Sequence, residues 1–340
     1  MEEKKAVKGV NLSFLCMMIL YLLIAFLTSL IEVAGFSPNV IVTLIMGEVV
    51  VLIPALIFVL IKSEDIRRYL PMRKLKPATV GLSFLFGICI MPSVQWLNIV
   101  SQLFTKNLVS DTMLKLIDDI SPVAMIITVA LIGPLCEEIA FRGVIFGGLR
   151  RSGRILGAVI VSALFFGLMH LNLNQFIYAF VLGVAFALLT EATGSILPSF
   201  IGHFVINGYN IVTPYIAEYF LQRLGNKGSD ILNEAMESSV GKLEILIAAG
   251  VYLIPAVIGA VLSVLLFMAI CRQEGSLSHI KKILKLVKDT DEQGETEREN
   301  MAVQRQIPLI TASGYVAIAI CTLIILLAAA ASKVFGLLFG

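Results

Sequence analysis

Glu137 and Glu138 stand side by side inside an otherwise apolar run from Pro122 to Leu149, and Arg142 follows the second by four residues. A charge near the middle of a membrane helix costs about 2.5–3.5 kcal/mol on insertion scales, so charges kept there ask for a compensating role. On a helix Glu138 and Arg142 share a face and can pair. Glu137 is rotated by about 100° from Glu138 and points elsewhere, unpaired by Arg142. Further along, Phe166 and His170 are four apart, and so are His203 and Asn207, so each pair projects from one helix face. The third of the three histidines, His279, lies in a basic loop and reads as solvated. A carboxylate can act as a general base toward water. Imidazole can orient or share that proton, and imidazole and amide N–H groups can stabilise an oxyanion. Taken singly, these residues read as core histidines, an interhelical amide bond and a buried salt bridge. Taken together, they are the parts of a hydrolytic site.

The elements that must position them are membrane helices. Of 340 residues 58% are hydrophobic and 15% charged, and mean hydropathy is +0.93. An ordinary soluble domain is nearer 45–50% apolar and about 25% charged. The fold class expected is an all-α polytopic membrane bundle with about nine transmembrane helices. Runs of about 20 apolar residues are long enough to span. The candidates are 11–32, 39–61, 79–104, 122–147, 155–171, 174–191, 195–212, 243–270 and 309–331. The first follows the basic segment Met1 to Lys8 and is too long for a signal-peptide core, so it reads as a span. The five cysteines are scattered without a CxxC pair or metal spacing and read as small buried hydrophobes.

Lysine and arginine concentrate in alternate loops. They fall in the N-terminal segment, in 62–76, in 150–154 and in 272–306. Nine spans with a cytoplasmic N-terminus require that pattern. The organisation expected is 1–121 as N-terminal spans, 122–212 as a catalytic core, 213–242 as an external loop and 243–340 as C-terminal spans. Pro214, Gly225 and Gly228 mark the external loop. Within 272–306, Leu277, Ile280, Leu284 and Val287 recur at helical spacing against four lysines, an amphipathic helix suited to an anionic membrane surface. Residues 289–306 read as a polar tether.

The set Glu137-Glu138-x-x-x-Arg142, Phe166-x-x-x-His170 and His203-x-x-x-Asn207, with the lead-in Thr193-Gly194-Ser195-Ile196-x-Pro198, resembles the motifs of the CAAX-protease and bacteriocin-processing (CPBP) family over about 122–212. The resemblance implies an intramembrane endopeptidase, a helical bundle around a cavity. By the same resemblance Glu137 activates water with help from His170, His203 and Asn207 form the oxyanion site, and Glu138 and Arg142 are the supporting pair. Eukaryotic members remove the last three residues of prenylated CAAX proteins. Prokaryotic members are tied to peptide maturation, bacteriocin self-immunity and surface-protein processing. The family is described both as metalloproteases and as metal-free glutamate proteases.

Three alternatives stay open at this point. There is no His-Glu-x-x-His motif, but Glu137, His170 and His203 could supply a His₂Glu zinc set, with Glu138 as base. Asn207 beside His203 favours the metal-free assignment. A proton-coupled transporter would use Glu48, Glu137, Glu191 and the histidines as a relay, although no internal repeat supports it. A catalytically silent immunity or scaffold protein would carry the same residues. The partners expected are a protein or peptide substrate, lipidated or not, and membrane lipids, with no nucleic acid. The location expected is a prokaryotic cell membrane.

Overall fold

The computed structural model describes residues 2–36, 38–61, 69–107, 116, 120–225, 241–285 and 307–339, the last eight of these by backbone only. Ten helices form the bundle among the described residues. They are α1 (Glu2–Val33), α2 (Val40–Ile61), α3 (Pro77–Ser101), α4 (Pro122–Arg150), α5 (Ile155–Met169), α6 (Leu173–Thr193), α7 (Leu197–Arg223), α8 (Lys242–Glu274), α9 (Leu277–Ile283) and α10 (Ala312–Phe339). Strands are absent among the described residues apart from one isolated bridge, Met72 to Ser195. The architecture is the all-α polytopic bundle that the composition implies. Each of the nine apolar runs coincides with a helix. Seven of these helices are long and apolar enough to cross a membrane. The other two are α5, with 15 residues, and α7, whose polar residues lower its hydropathy.

Local chemistry sets the joints near the motifs. Ser121 caps α4 by accepting from the Ala124 N–H at 3.3 Å, and Pro122 opens the helix where no N–H is needed. Asn172 caps α6 by accepting from the Asn174 N–H at 2.8 Å. Between α5 and α6 the chain reverses through Leu171, at φ 51°. Gly194, at φ 65°, ends α6 in the left-handed conformation glycine adopts freely. The turn after it is tied to the 69–76 segment by Arg73 N–H donating to Gly194 O and Ile196 N–H donating to Pro71 O.

The largest core cluster joins α1, α2, α4, α5, α6 and α10. Phe14 stacks on Phe165 with centroids 4.1 Å apart, and Phe141 meets both Phe14 and Phe166 edge-on. On the other side α3 lies along α8. Trp96 and Ser93 donate to the Ala249 and Ala256 carbonyls, and buried Glu274 accepts from the Thr79 hydroxyl at 2.5 Å. A Cβ at Gly259 would fall 2.5 Å from the Cys89 carbonyl oxygen, so that contact between backbones needs glycine.

Several expectations are corrected. Residues 213–242 do not begin as a loop. α7 continues through Pro214 to Arg223 and ends at Gly225, at φ 58°. The Thr213 hydroxyl bonds the Tyr209 carbonyl beside that proline. The stripe of α9 does not face outward. Leu277, Ile280 and Leu284 pack against Ala192 and Cys271, and closing the bundle end buries that surface. His279 is not a bystander, because its Nε2 lies 2.8 Å from Glu191 Oε1. Cys16 is exposed, while Cys136, Cys271 and Cys321 are buried. The readings on 226–240, Val287 and 289–306, and on the basic residues of 62–68, lie outside the described residues.

Replacing Gly259 by Val should destabilise the protein by about 1–3 kcal/mol, since the added methyls have no room. Gly250→Val on the same helix, where a Cβ meets nothing within 4 Å, is the control. Thermal unfolding in detergent measures both; equal effects would disprove the close contact.

Candidate active site

The helix that carries the two glutamates is irregular on either side of them. Ile126–Ile132 and Ile139–Ile145 are wound as π-helix, flanking the α-helical turn Gly133–Glu138. Such wide turns are rare and concentrate at functional sites. In the first, the Gly133 N–H donates to the Thr128 carbonyl, five residues back. The next donor in that register would serve the Val129 carbonyl. It belongs to Pro134, which has no N–H. Asn207 of α7 supplies the missing donor, its Nδ2 lying 3.0 Å from Val129 O. The residue expected to stabilise an oxyanion therefore spends one N–H on the backbone and keeps a second.

One turn deeper in the same pair of helices, His203 meets both glutamates. Its Nδ1 is 3.0 Å from Glu138 Oε1 and its Nε2 is 3.5 Å from Glu137 Oε2. A carboxylate accepts, so the contact with Glu138 assigns the Nδ1 proton and turns Nε2 toward Glu137. Glu138 Oε1 also lies 3.1 Å from Arg142 Nη1, and both side chains are buried, at 0% and 2% exposure. The guanidinium sits off the hydrogen-bond axis, so it acts on Glu138 as a charge rather than as a directed donor. Its faces are covered by aromatic rings. Phe166 lies 4.1 Å and Phe186 5.2 Å from the guanidinium carbon. The same two rings flank the His203 imidazole, at centroid distances of 5.9 and 5.3 Å.

His170 follows the last residue of α5. Its Nδ1 is 2.9 Å from the Phe166 carbonyl, and its ring meets the Phe166 ring edge-on at 5.2 Å. The two histidines thus approach each other across Phe166. Glu137 is the more open carboxylate, at 19% exposure against 0% for Glu138. The structure links Glu137, Glu138, Arg142, Phe166 and His203 in one chain of contacts. Asn207 sits one turn from His203 on α7, against Val129 two turns before Glu137 on α4, and His170 is joined to the cluster through Phe166.

Two participants were not singled out for this site by sequence reasoning. Phe186 carries no signal, since a phenylalanine in an apolar run has no distinguishing spacing. Glu48 was legible as a lone charge in an apolar span and is found with its carboxylate against Gly133. Glu191, the other carboxylate of the relay reading, is held by Arg150 at 3.2 Å and by His279, at the end of α6. Among the described residues no three His, Cys, Asp or Glu side chains gather as metal ligands. Glu137, His170 and His203 are thus not gathered as a ligand set among the described residues.

The site lies within a segment similar to known proteins. The family described as type II CAAX prenyl endopeptidase Rce1-like matches residues 119–209. A Bacillus subtilis (strain 168) protein titled "Putative membrane peptidase YdiL" is 32% identical over 88 residues, 26% of this chain and 36% of that protein. The chain thus spans about a third of the length of that curated relative. No solved structure matches. The matched segment and the three motifs coincide.

Glu138→Gln should cost about 3–5 kcal/mol of stability, because it leaves Arg142 buried without its counter-charge. Adding Arg142→Met to Glu138→Gln should recover part of that loss. Denaturation of the purified variants checks it, and a double variant no more stable than Glu138→Gln alone would show that the pair is not coupled.

Proposed function

We propose that this protein is an intramembrane endopeptidase that hydrolyses a peptide bond of a membrane-associated peptide or protein, lipidated substrates included. The observation that carries the reading is the open Glu137 carboxylate facing His203 Nε2 while Glu138 holds Nδ1. The match of residues 119–209 to the Rce1-like family supports it.

In this reading Glu137 takes a proton from water as the water oxygen adds to the scissile carbonyl. His170, fixed by its Nδ1 at the Phe166 carbonyl, keeps Nε2 for sharing that proton. The carbonyl oxygen gains negative charge, and its donors are the remaining N–H of Asn207 and, with both ring nitrogens of His203 protonated between the two glutamates, the Nε2–H. Glu138 and the two phenylalanines hold the imidazole so that it need not reorganise during the step. Arg142 supplies the counter-charge of Glu138 and keeps it out of the reaction. The donor set favours the metal-free assignment, since both nitrogens of His203 are directed at glutamates. By the positive-inside pattern the N-terminus and the 150–154 loop are cytoplasmic, and the 33–38 turn lies on the other side.

Glu137→Gln should abolish cleavage while the protein inserts and folds normally, since the amide matches the carboxylate in shape. Asn207→Ala should lower turnover by about 10²–10³-fold. It should also cost about 1–3 kcal/mol of stability, because the Val129 carbonyl loses its donor. Exhaustive metal removal should leave cleavage intact. Turnover of a quenched fluorogenic membrane peptide by purified protein measures all three. Full activity in Glu137→Gln defeats the reading, and loss on chelation restored by zinc defeats the metal-free part.

In a Cys-free background, Phe36→Cys and Arg154→Cys, both exposed, should label from opposite sides of the membrane. Labelling from one side would break the proposed topology.

A further inference from the structure

Glu48 is the single charged residue of α2, and the mechanism above gives it no task. Its carboxylate rests on the backbone of α4. A Cβ at Gly133 would lie 3.2 Å from Glu48 Oε1 and 3.4 Å from its Cδ, so glycine is what lets the carboxyl group lie there. Gly133 precedes Glu137 by four residues on one α-helical turn. The two carboxyl groups therefore open on the same face of α4, one turn apart. Glu48 Oε2 is buried without a hydrogen-bond partner among the described residues. Among the described residues the titratable groups that act on it are Glu137 and Cys136 of α4 and Tyr21 of α1, and none of them is a cation. A lone carboxylate in an apolar surround gives up its charge by binding a proton, and a second carboxylate facing the same space acts in that direction too. Two carboxyl groups whose surroundings differ divide acid and base roles between them. Here Glu137 has an imidazole beside it and partial exposure, while Glu48 has neither partner nor cation.

We propose that Glu48 is a further catalytic residue, the acid that protonates the leaving nitrogen while Glu137 acts as base. The proposal rests on the proteolytic reading. The water oxygen bonds to the carbonyl carbon and its proton passes to Glu137. The C–N bond then breaks, its electron pair stays on nitrogen, and that nitrogen takes the proton of Glu48. The proton on Glu137 returns to Glu48 across the face they share. One water is consumed, and the products are a carboxylic acid and an amine. The position along α4 suits the task. Glu48 stands between the level of Asn207, at Val129, and the level of His203, at Glu137, on a different helix from both.

The test uses full-length protein in lipid nanodiscs and a quenched fluorogenic peptide ending in a prenylated Cys-aliphatic-aliphatic-X sequence. Wild type, Glu137→Gln, Glu48→Gln and Glu48→Asp are compared. Glu48→Gln should lower kcat by about 10²–10⁴-fold with KM unchanged, the range for a lost general acid. It should also lose the alkaline limb of the kcat–pH profile, which reports the acid's deprotonation. Glu48→Asp, which keeps the proton on a shorter arm, should recover part of kcat and the limb. Independently of substrate, the infrared spectrum of wild type at neutral pH should show a protonated-carboxyl C=O band that Glu48→Gln removes. Wild-type kcat in Glu48→Gln overturns the proposal. So does a reduced kcat with the alkaline limb intact, which is a structural effect, and so does the absence of the infrared band. If wild type and Glu137→Gln are equally inert on the peptide, the proteolytic reading has failed and the acid role falls with it. The infrared band then still reports whether Glu48 holds a proton.

Discussion

One carboxylate oxygen, Glu138 Oε1, holds an arginine of its own helix at 3.1 Å and a histidine of α7 at 3.0 Å. All three groups are buried, so each would be costly alone. The arrangement persists because the costs are shared: the arginine neutralises the carboxylate, the carboxylate orients the imidazole, and two phenylalanine rings cover both cationic faces. The consequence is directional. With Nδ1 occupied, the imidazole has one orientation, and Nε2 is presented to Glu137. The adjacency of two glutamates in the chain is thus an adjacency of two different jobs. Because successive residues on a helix point about 100° apart, one faces into the aromatic box and the other into more open space.

The second constraint is backbone supply and demand. A π-wound stretch followed by Pro134 leaves the Val129 carbonyl without a donor, and an unpaired carbonyl inside a bilayer costs several kcal/mol. Asn207 answers that demand from α7. The same side chain that satisfies α4 is thereby fixed one turn from His203, with its second N–H free to serve the chemistry. Structural need and positioning are met by one hydrogen bond, which links a mutation's effect on turnover to its effect on stability.

How far the sequence reveals this depends on the range of each signal. The Glu138–Arg142 pair is legible because it is local: four residues on a helix, and charges that are conspicuous among apolar neighbours. The nine apolar runs are legible for the same reason, and each coincides with a helix. The tie from His203 to Glu138 is not legible, because it depends on which face of α7 meets α4. Phe186 is invisible among other apolar residues. Pro214 reads as a breaker by the rules of soluble helices, yet membrane helices accommodate proline when nearby hydroxyls and neighbours satisfy the freed groups. The stripe of α9 shows that a face will be buried, but periodicity cannot say whether lipid or protein buries it. Here Ala192 and Cys271 do.

Along α4 the neighbours change at every turn. Val129 meets Asn207 of α7, Gly133 meets Glu48 of α2, and Glu137 and Glu138 meet His203 of α7. α2 lies outside the segment 119–209 that matches the Rce1-like family. A glycine at 133 is needed on α4 for a carboxyl group on α2 to approach, so the dependence runs between the matched core and the helices around it. The N-terminal spans are then more than a frame: α2 packs along the glutamate-bearing turn of α4 and brings to it a carboxyl group from outside the matched core.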